Sequence, residues 1–354
     1  MYKDISIEES FNIDNPRYID LRSEKEYLED TIPGAVNISL FDNKEREQIG
    51  MVYKNDGHER AKLLGIKILA PKMEQIYRQI RELAEDKCLI LFCWRGGMRS
   101  KFMASVLSSL GMNVSRIKGG YKSYRRFVYN YINKDELSLQ AVVLHGLTGV
   151  GKTQILQMLS SCGLPVLDLE SIAANKGSVF GKINMPLSPT QKQFESSIVN
   201  KLRSFENANY YLVECEGKRL GKLIVPLPIV NGIKNGRKIL LYSSIETRVR
   251  RIKKEYVKTE DNIEQFKNAI DKLKKRLGNK NIEELKKQLE VGRIEEVIEY
   301  LLLNYYDPLY KYPGSKSAKY DLCVDCRDLS SAVDAIHFYL QKTMKCNRKN
   351  QRKW

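Results

Sequence analysis

The chain has no run of about eighteen apolar residues, the least that would carry a helix across a bilayer, so no membrane span is expected. It has only three histidines, His58, His145 and His337, and their spacing matches no zinc pattern. Its seven cysteines are an odd number scattered over 354 residues. That usage excludes a disulfide framework and fits a reducing cytosol in which one reactive thiol is kept. The opening MYKDISIEES is acidic and polar, so no secretory signal is expected and a cytoplasmic location follows. There is no internal repeat, and the basic tail from Lys345 to Trp354 is the one low-complexity stretch. What is present, 42% hydrophobic and 29% charged residues, is the composition of an ordinary soluble globular protein. The length exceeds one modest core, so two domains are expected. A formal charge of +17 is large for this size. A lysine-rich composition and a polyanionic partner such as RNA account for it equally well.

Two α/β patterns follow one another. Residues 17–21 (RYIDL), 35–38, 88–92 (CLILF) and 114–117 read as strands. Met73, Ile76, Tyr77, Ile80 and Leu83 recur at helical spacing between Pro71 and Ala84, and a further helix is expected from Ser100 onward. Strands alternating with helices imply a mainly parallel sheet covered on both faces. The polar stretch 133–138 marks a boundary, giving domains at 1–136 and 137–354. The second domain opens with the strand 141–145, continues with strands at 210–214 and 238–242, and holds a lysine-rich helical region at about 246–304, broken near Gly278. Cys323 and Cys326 form a lone C-x-x-C that reads as strand rather than zinc site, and His145 reads as a satisfied core histidine.

Two glycine-rich strand-to-helix turns carry the chemistry. Residues 146–153, GLTGVGKT, match G-x-x-x-x-G-K-[ST] between a strand and a helix. Backbone N–H groups of Gly146, Thr148, Gly149 and Gly151 would cradle a diphosphate, Lys152 would supply a point charge, and Thr153 is suited to Mg²⁺. The strand expected to carry a Walker-B Asp offers Glu214 and Glu216 instead, either as metal contacts or as strand-end carboxylates. The other turn, CWRGGMRS from Cys93, places a thiol at a helix N-terminus with Arg95 and Arg99 behind it. Such a place suits an anion and favours a nucleophilic thiolate. The residues alone leave a phosphatase loop and a sulfurtransferase loop both open, although Phe92 stands where phosphatases carry His. The arginines would grip the oxyanion or anchor carboxylates such as Asp20 and Glu24.

Ile19-Asp20-Leu21-Arg22 followed by Ile32-Pro33-Gly34-Ala35-Val36 resembles the rhodanese domain. With CWRGGMRS, Gly119-Gly120-Tyr121 and a P-loop NTPase-like α/β domain on the same chain, the whole resembles the bacterial tRNA 2-selenouridine synthases. The likeness includes Glu45-Arg46, Val52-Tyr53-Lys54, residues 177–181 (GSVFG), Gln193-Phe194-Glu195, Glu214-Cys215-Glu216 and Tyr305-Tyr306-Asp307-Pro308. Two departures stand out: Thr31 in place of His before Ile-Pro-Gly, and Asn175-Lys176 in place of His-Arg before Gly-Ser. The resemblance implies a transferase acting on a tRNA whose wobble uridine carries sulfur at position 2. Geranyl diphosphate would alkylate the sulfur, and selenium from selenophosphate would then replace the geranylthio group. Both co-substrates would be transient, with no tightly bound cofactor, and an enzyme supplying selenophosphate becomes a natural partner. Cys93 would carry selenium as a selenylsulfide, and the P-loop would hold the prenyl diphosphate. Ser178, Glu214, Glu216, Tyr306 and Asp307 become substrate or metal contacts, and Arg250, Arg251 and Lys254 become tRNA contacts. The alternative is a rhodanese-type sulfurtransferase or phosphatase regulated by a nucleotide at the P-loop.

Overall fold

The first unit contains strands β1 (Lys3–Ile5), β2 (Pro16–Asp20), β3 (Val36–Asn37), β4 (Cys88–Phe92) and β5 (Val114–Ile117). They pair in the order β1-β5-β4-β2-β3, every pair parallel. The central strand β4 is apolar without alternation because helices cover both faces. Leu89 and Leu91 pack on one side with Ile76 and Ile80 of the helix Met73–Glu82 and with Met103 and Leu107 of the helix Met98–Ser109. Ile90 and Phe92 pack on the other with Tyr121, Tyr124 and Val128 of the helix Gly120–Ile132. The period-two geometry of a strand makes this division. The helix after Cys93 begins at Met98, two residues before Ser100.

The computed structural model describes residues 1–85, 87–175, 187–205, 208–256, 260–310 and 312–344. One unit is Met1–Ile132 together with Thr190–Asn200, and the other is Asn133–Pro189 together with Lys201–Trp354, in place of a single cut near residue 136. Residues 190–200 join the first unit through a polar network. Arg125 bonds Glu195 at 2.6 Å, while Ser196 and Tyr121 donate to Asp30 at 3.1 and 2.8 Å.

The second unit has a parallel sheet of β6 (Gln140–His145), β7 (Tyr210–Glu214), β10 (Arg237–Tyr242) and β11 (Leu322–Asp325), ordered β11-β10-β6-β7. A short antiparallel hairpin, β8 (Arg219–Leu220) and β9 (Leu223–Ile224), stands apart from it. The C-x-x-C segment forms β11 and its end, and Cys326 is buried. The lysine-rich region folds as helices Ile245–Tyr256, Glu260–Asp271, Lys274–Leu277, Asn279–Glu290 and Ile294–Leu301. These helices enclose an apolar core of their own that includes Phe266, Ile270, Ile282, Leu289 and Ile298. Among the described residues, no helix is long and apolar enough to cross a membrane.

Candidate functional site

In the first unit the chain leaves β4 at Phe92 and re-enters a helix at Met98. The turn between them closes on the next one along. A Cβ on Gly120 would lie 2.1 Å from the Cys93 carbonyl oxygen and 2.4 Å from the Gly96 nitrogen, so the two turns touch backbone to backbone. Tyr121 and Lys122 donate their N–H groups to the carbonyls of Cys93 and Trp94, both at 2.9 Å. Arg116, itself paired with Asp4, holds the carbonyl of Gly96. With those carbonyls tied down, the N–H groups of Trp94 through Ser100 find no acceptor among the described residues. A row of donors at a helix N-terminus is an anion cradle.

The Cys93 thiol is buried and lies 3.3 Å from the Ser100 hydroxyl. Arg95 is exposed. Arg99 reaches Glu26 at 3.4 Å rather than Asp20 or Glu24. Asp20 instead forms a buried pair with Arg22 at 2.6 Å, and Arg22 lies 3.8 Å over the Tyr121 ring. Thr31 donates to Asp20 at 2.8 Å. The Ile-Asp-Leu-Arg segment therefore stiffens the ground beneath the cysteine loop without entering it.

In the second unit the P-loop repeats the device. Lys152 folds back on the Gly146 carbonyl at 3.0 Å, and the N–H groups of Thr148, Gly149, Gly151, Lys152 and Thr153 find no acceptor among the described residues. Two arginines of the helix Ile245–Tyr256 hold the outer side of the loop. Arg248, 3% exposed, donates to the Thr148 carbonyl at 2.8 Å and to both oxygens of Asp307 at 2.9 and 2.5 Å. Arg251 donates to the Val150 carbonyl at 2.8 Å and to the carbonyl of Cys326. These bonds correct two expectations. Arg251 supports the P-loop, while Arg250 and Lys254 are exposed. Asp307 is a structural counter-ion, and Tyr306 is buried in the core of the helical region instead of facing a substrate. Asp307 owes its place to a turn of π-helix, Leu302–Tyr306, just before it.

Beneath the P-loop, Glu214 accepts from the Thr153 hydroxyl at 2.8 Å. Glu170, Glu214 and Glu216 bring carboxylate oxygens within 4.8 Å of one another. Glu170 escaped the sequence reading because it lies far along the chain from Glu214 and Glu216 in a segment with no pattern. Burial pushes Glu214 up to about 7, with Lys152 opposing and Glu170 adding to the rise. Burial and the two neighbouring glutamates push Glu216 up to about 8. An all-oxygen donor set of this kind fits a hard divalent cation. Among the described residues neither Cys323 nor Cys326 belongs to such a cluster; Cys323 donates to the Ser317 carbonyl at 3.3 Å. His145 is buried, but neither ring nitrogen meets a partner among the described residues; Tyr312 and Tyr320 stand edge-on to it, and burial lowers it to about 4. It is a neutral core histidine, not a satisfied one. Ser178 lies outside the described residues.

A thiol-bearing rhodanese-like loop and a P-loop with its own carboxylates define a two-domain rhodanese–P-loop protein. A family model described as the tRNA 2-selenouridine synthase AAA domain matches residues 139–338, and one described as the rhodanese-like domain matches residues 6–126. The tRNA 2-selenouridine synthase of Hydrogenovibrio crunogenus is 30% identical over 355 residues, which covers 92% of this chain and 94% of that protein. Those of Psychromonas ingrahamii and Shewanella frigidimarina are 30% and 29% identical, covering 85% and 93% of this chain and 88% and 95% of theirs. The chain belongs to the tRNA 2-selenouridine synthase family.

Proposed function

We propose that the protein exchanges sulfur for selenium at position 2 of a tRNA wobble uridine, in two steps handled by its two loops. In the first, the thiocarbonyl sulfur attacks C1 of geranyl diphosphate, the C–O bond breaks, and diphosphate leaves within the P-loop. Free N–H groups and Lys152 stabilise the charge that develops on it. Thr153, Glu170, Glu214 and Glu216 are the residues that would hold Mg²⁺, which when bound neutralises a diphosphate leaving group. In the second step, selenium from selenophosphate adds at C2, geranylthiolate departs, and water carries the phosphoryl group away as phosphate. Alkylation helps because a thioether-like sulfur leaves more readily than a thiocarbonyl. The cradle around Cys93 binds the selenophosphate, and selenium delivery depends on the Cys93 thiol. An enzyme making selenophosphate is the partner this chemistry calls for, and Arg250 and Lys254 are offered as contacts to the tRNA backbone.

The observation that carries this reading is that the family likeness spans both loops, each with its reactive group and its free N–H groups in place. The test is reconstitution with 2-thiouridine tRNA, followed by mass spectrometry of the nucleosides. Geranyl diphosphate alone should yield the geranylthio nucleoside, and adding selenophosphate should convert it to 2-selenouridine. A second reading, regulation by a magnesium nucleotide, draws on the Thr153–Glu214 bond. ATP dependence of either step would favour it.

A further inference from the structure

A groove of about 630 Å³ runs along the outer face of the helix Lys152–Ser161, lined among others by Gln154, Met158, Arg251, Lys254, Leu329 and Val333. Its size is that of small-molecule sites generally. It begins at the phosphate loop. A Cβ on Gly151 would lie 2.8 Å from Leu329 Cδ2, 3.5 Å from Arg251 Nη1 and 3.6 Å from Gln154 Oε1. Three residues of the groove therefore touch the loop that carries the free N–H groups. At a φ of +96° this position favours glycine, and a Cβ there would press on Leu329.

The lining says what kind of molecule fits. Met158, Leu329 and Val333 make an apolar floor, and methionine adapts its shape to a flexible occupant. Among the described residues no aromatic side chain lines the groove, so a nucleobase would find none of them to stack on. The Arg251 guanidinium is held by the carbonyls of Val150 and Cys326, and Lys254 is exposed at the rim. The combination is an apolar trough with cations beside its phosphate end. We propose that this groove binds the hydrocarbon chain of a prenyl diphosphate whose diphosphate sits on the P-loop. The proposal rests on the prenyl-donor reading above and adds the place where the chain lies.

Cys162 lies in the same groove and is exposed, which makes it a reporter in the unaltered protein. Alkylation of Cys162 by iodoacetamide, followed by mass spectrometry of the full-length chain, should slow severalfold with geranyl diphosphate and stay unchanged with inorganic pyrophosphate. Met158→Trp fills the trough. It should raise the KM for geranyl diphosphate about tenfold or more, the cost of overpacking an apolar site, while pyrophosphate affinity and the reaction of dimethylallyl diphosphate change little. If calorimetry shows that geranyl diphosphate binds, yet it leaves Cys162 unprotected and Met158→Trp leaves its KM unchanged, the groove assignment falls and the prenyl-donor reading stands. If geranyl diphosphate does not bind at all, both fall. Equal protection by ATP would assign the groove to a nucleotide and overturn the proposal. Should Met158→Trp weaken pyrophosphate as well, the protection measurement on the unaltered chain decides.

Discussion

In the first unit, the five residues Cys93 to Gly97 join β4 to the helix that starts at Met98; in the second, Gly146 to Gly151 join β6 to the helix that starts at Lys152. Both turns have carbonyls held by other groups and several N–H groups that find no acceptor among the described residues. The means differ. The cysteine loop is held by Arg116 of the neighbouring strand β5 and by the glycine turn that follows that strand. The P-loop is held by Arg248 and Arg251 from a helix about a hundred residues further on, and Arg248 is fixed in turn by Asp307. What lies beside each cradle differs too. One has a buried thiol, a serine hydroxyl and an arginine; the other has a lysine and three carboxylates. A shared backbone device binds anions in both places, and the side chains around it decide which chemistry follows.

Replacing the reactive group on one side should leave the other working. Cys93→Ala should abolish 2-selenouridine while geranylthio-tRNA accumulates, read by nucleoside mass spectrometry. Persistent selenation would remove Cys93 from the chemistry. Lys152→Ala should slow geranylation about 10²-fold, near 3 kcal/mol, since it strips one charge from the leaving diphosphate. Pre-geranylated tRNA should restore selenation in that variant; equal failure on both substrates would mean the loops do not divide the work.

The arginine support gives the next effect. Asp307→Asn leaves the buried Arg248 charge without its counter-ion, so stability of the second unit should fall by about 2–3 kcal/mol. The midpoint of its urea transition should drop and pyrophosphate should bind more weakly. An unchanged midpoint would mean that the π-helix and its aspartate do not hold the P-loop.

The carboxylates give a pH signature of their own. Burial raises Glu214 to about 7 and Glu216 to about 8, so between the ordinary glutamate range and those values the folded chain holds protons the unfolded chain has released. Their stabilisation is fully present below about 4.5 and is lost as pH rises through 7 and 8. Without divalent ions the melting temperature should decline over that window. Mg²⁺ should reverse the decline, and Glu216→Gln should flatten it. A melting temperature indifferent to both would argue against a metal between these residues. The smallest effect is on RNA. Reversing Arg250 and Lys254 together should reduce the salt slope of tRNA binding by about 1.4 to 1.8 in log–log form, at close to 0.7–0.9 per phosphate. An unchanged slope would place the RNA contact elsewhere.

The sequence by itself determined both turns. A strand, a glycine-rich turn and a helix are local events, set by a few adjacent residues, and the observed β4 coincides with the apolar run that announced it. The alternation of strands with helices and the place of Cys93 and Lys152 at helix N-termini were legible for the same reason. What only the tertiary structure decided are the long-range pairings. Arg248, Arg250 and Arg251 are neighbours on one helix and look alike in the sequence, yet a helix turns each side chain about a hundred degrees from the last. Arg250 is left exposed, while Arg248 and Arg251 point inward at loop carbonyls. Glu170 joined Glu214 and Glu216 because the segment leading into its helix runs beside β7, where Val166 bridges to Leu212. Residues 190–200 left the second unit for the first because Arg125 and Asp30 offered partners that no local pattern shows. Local backbone preference is written in adjacent residues; which distant charge ends beside which depends on how the assembled elements pack.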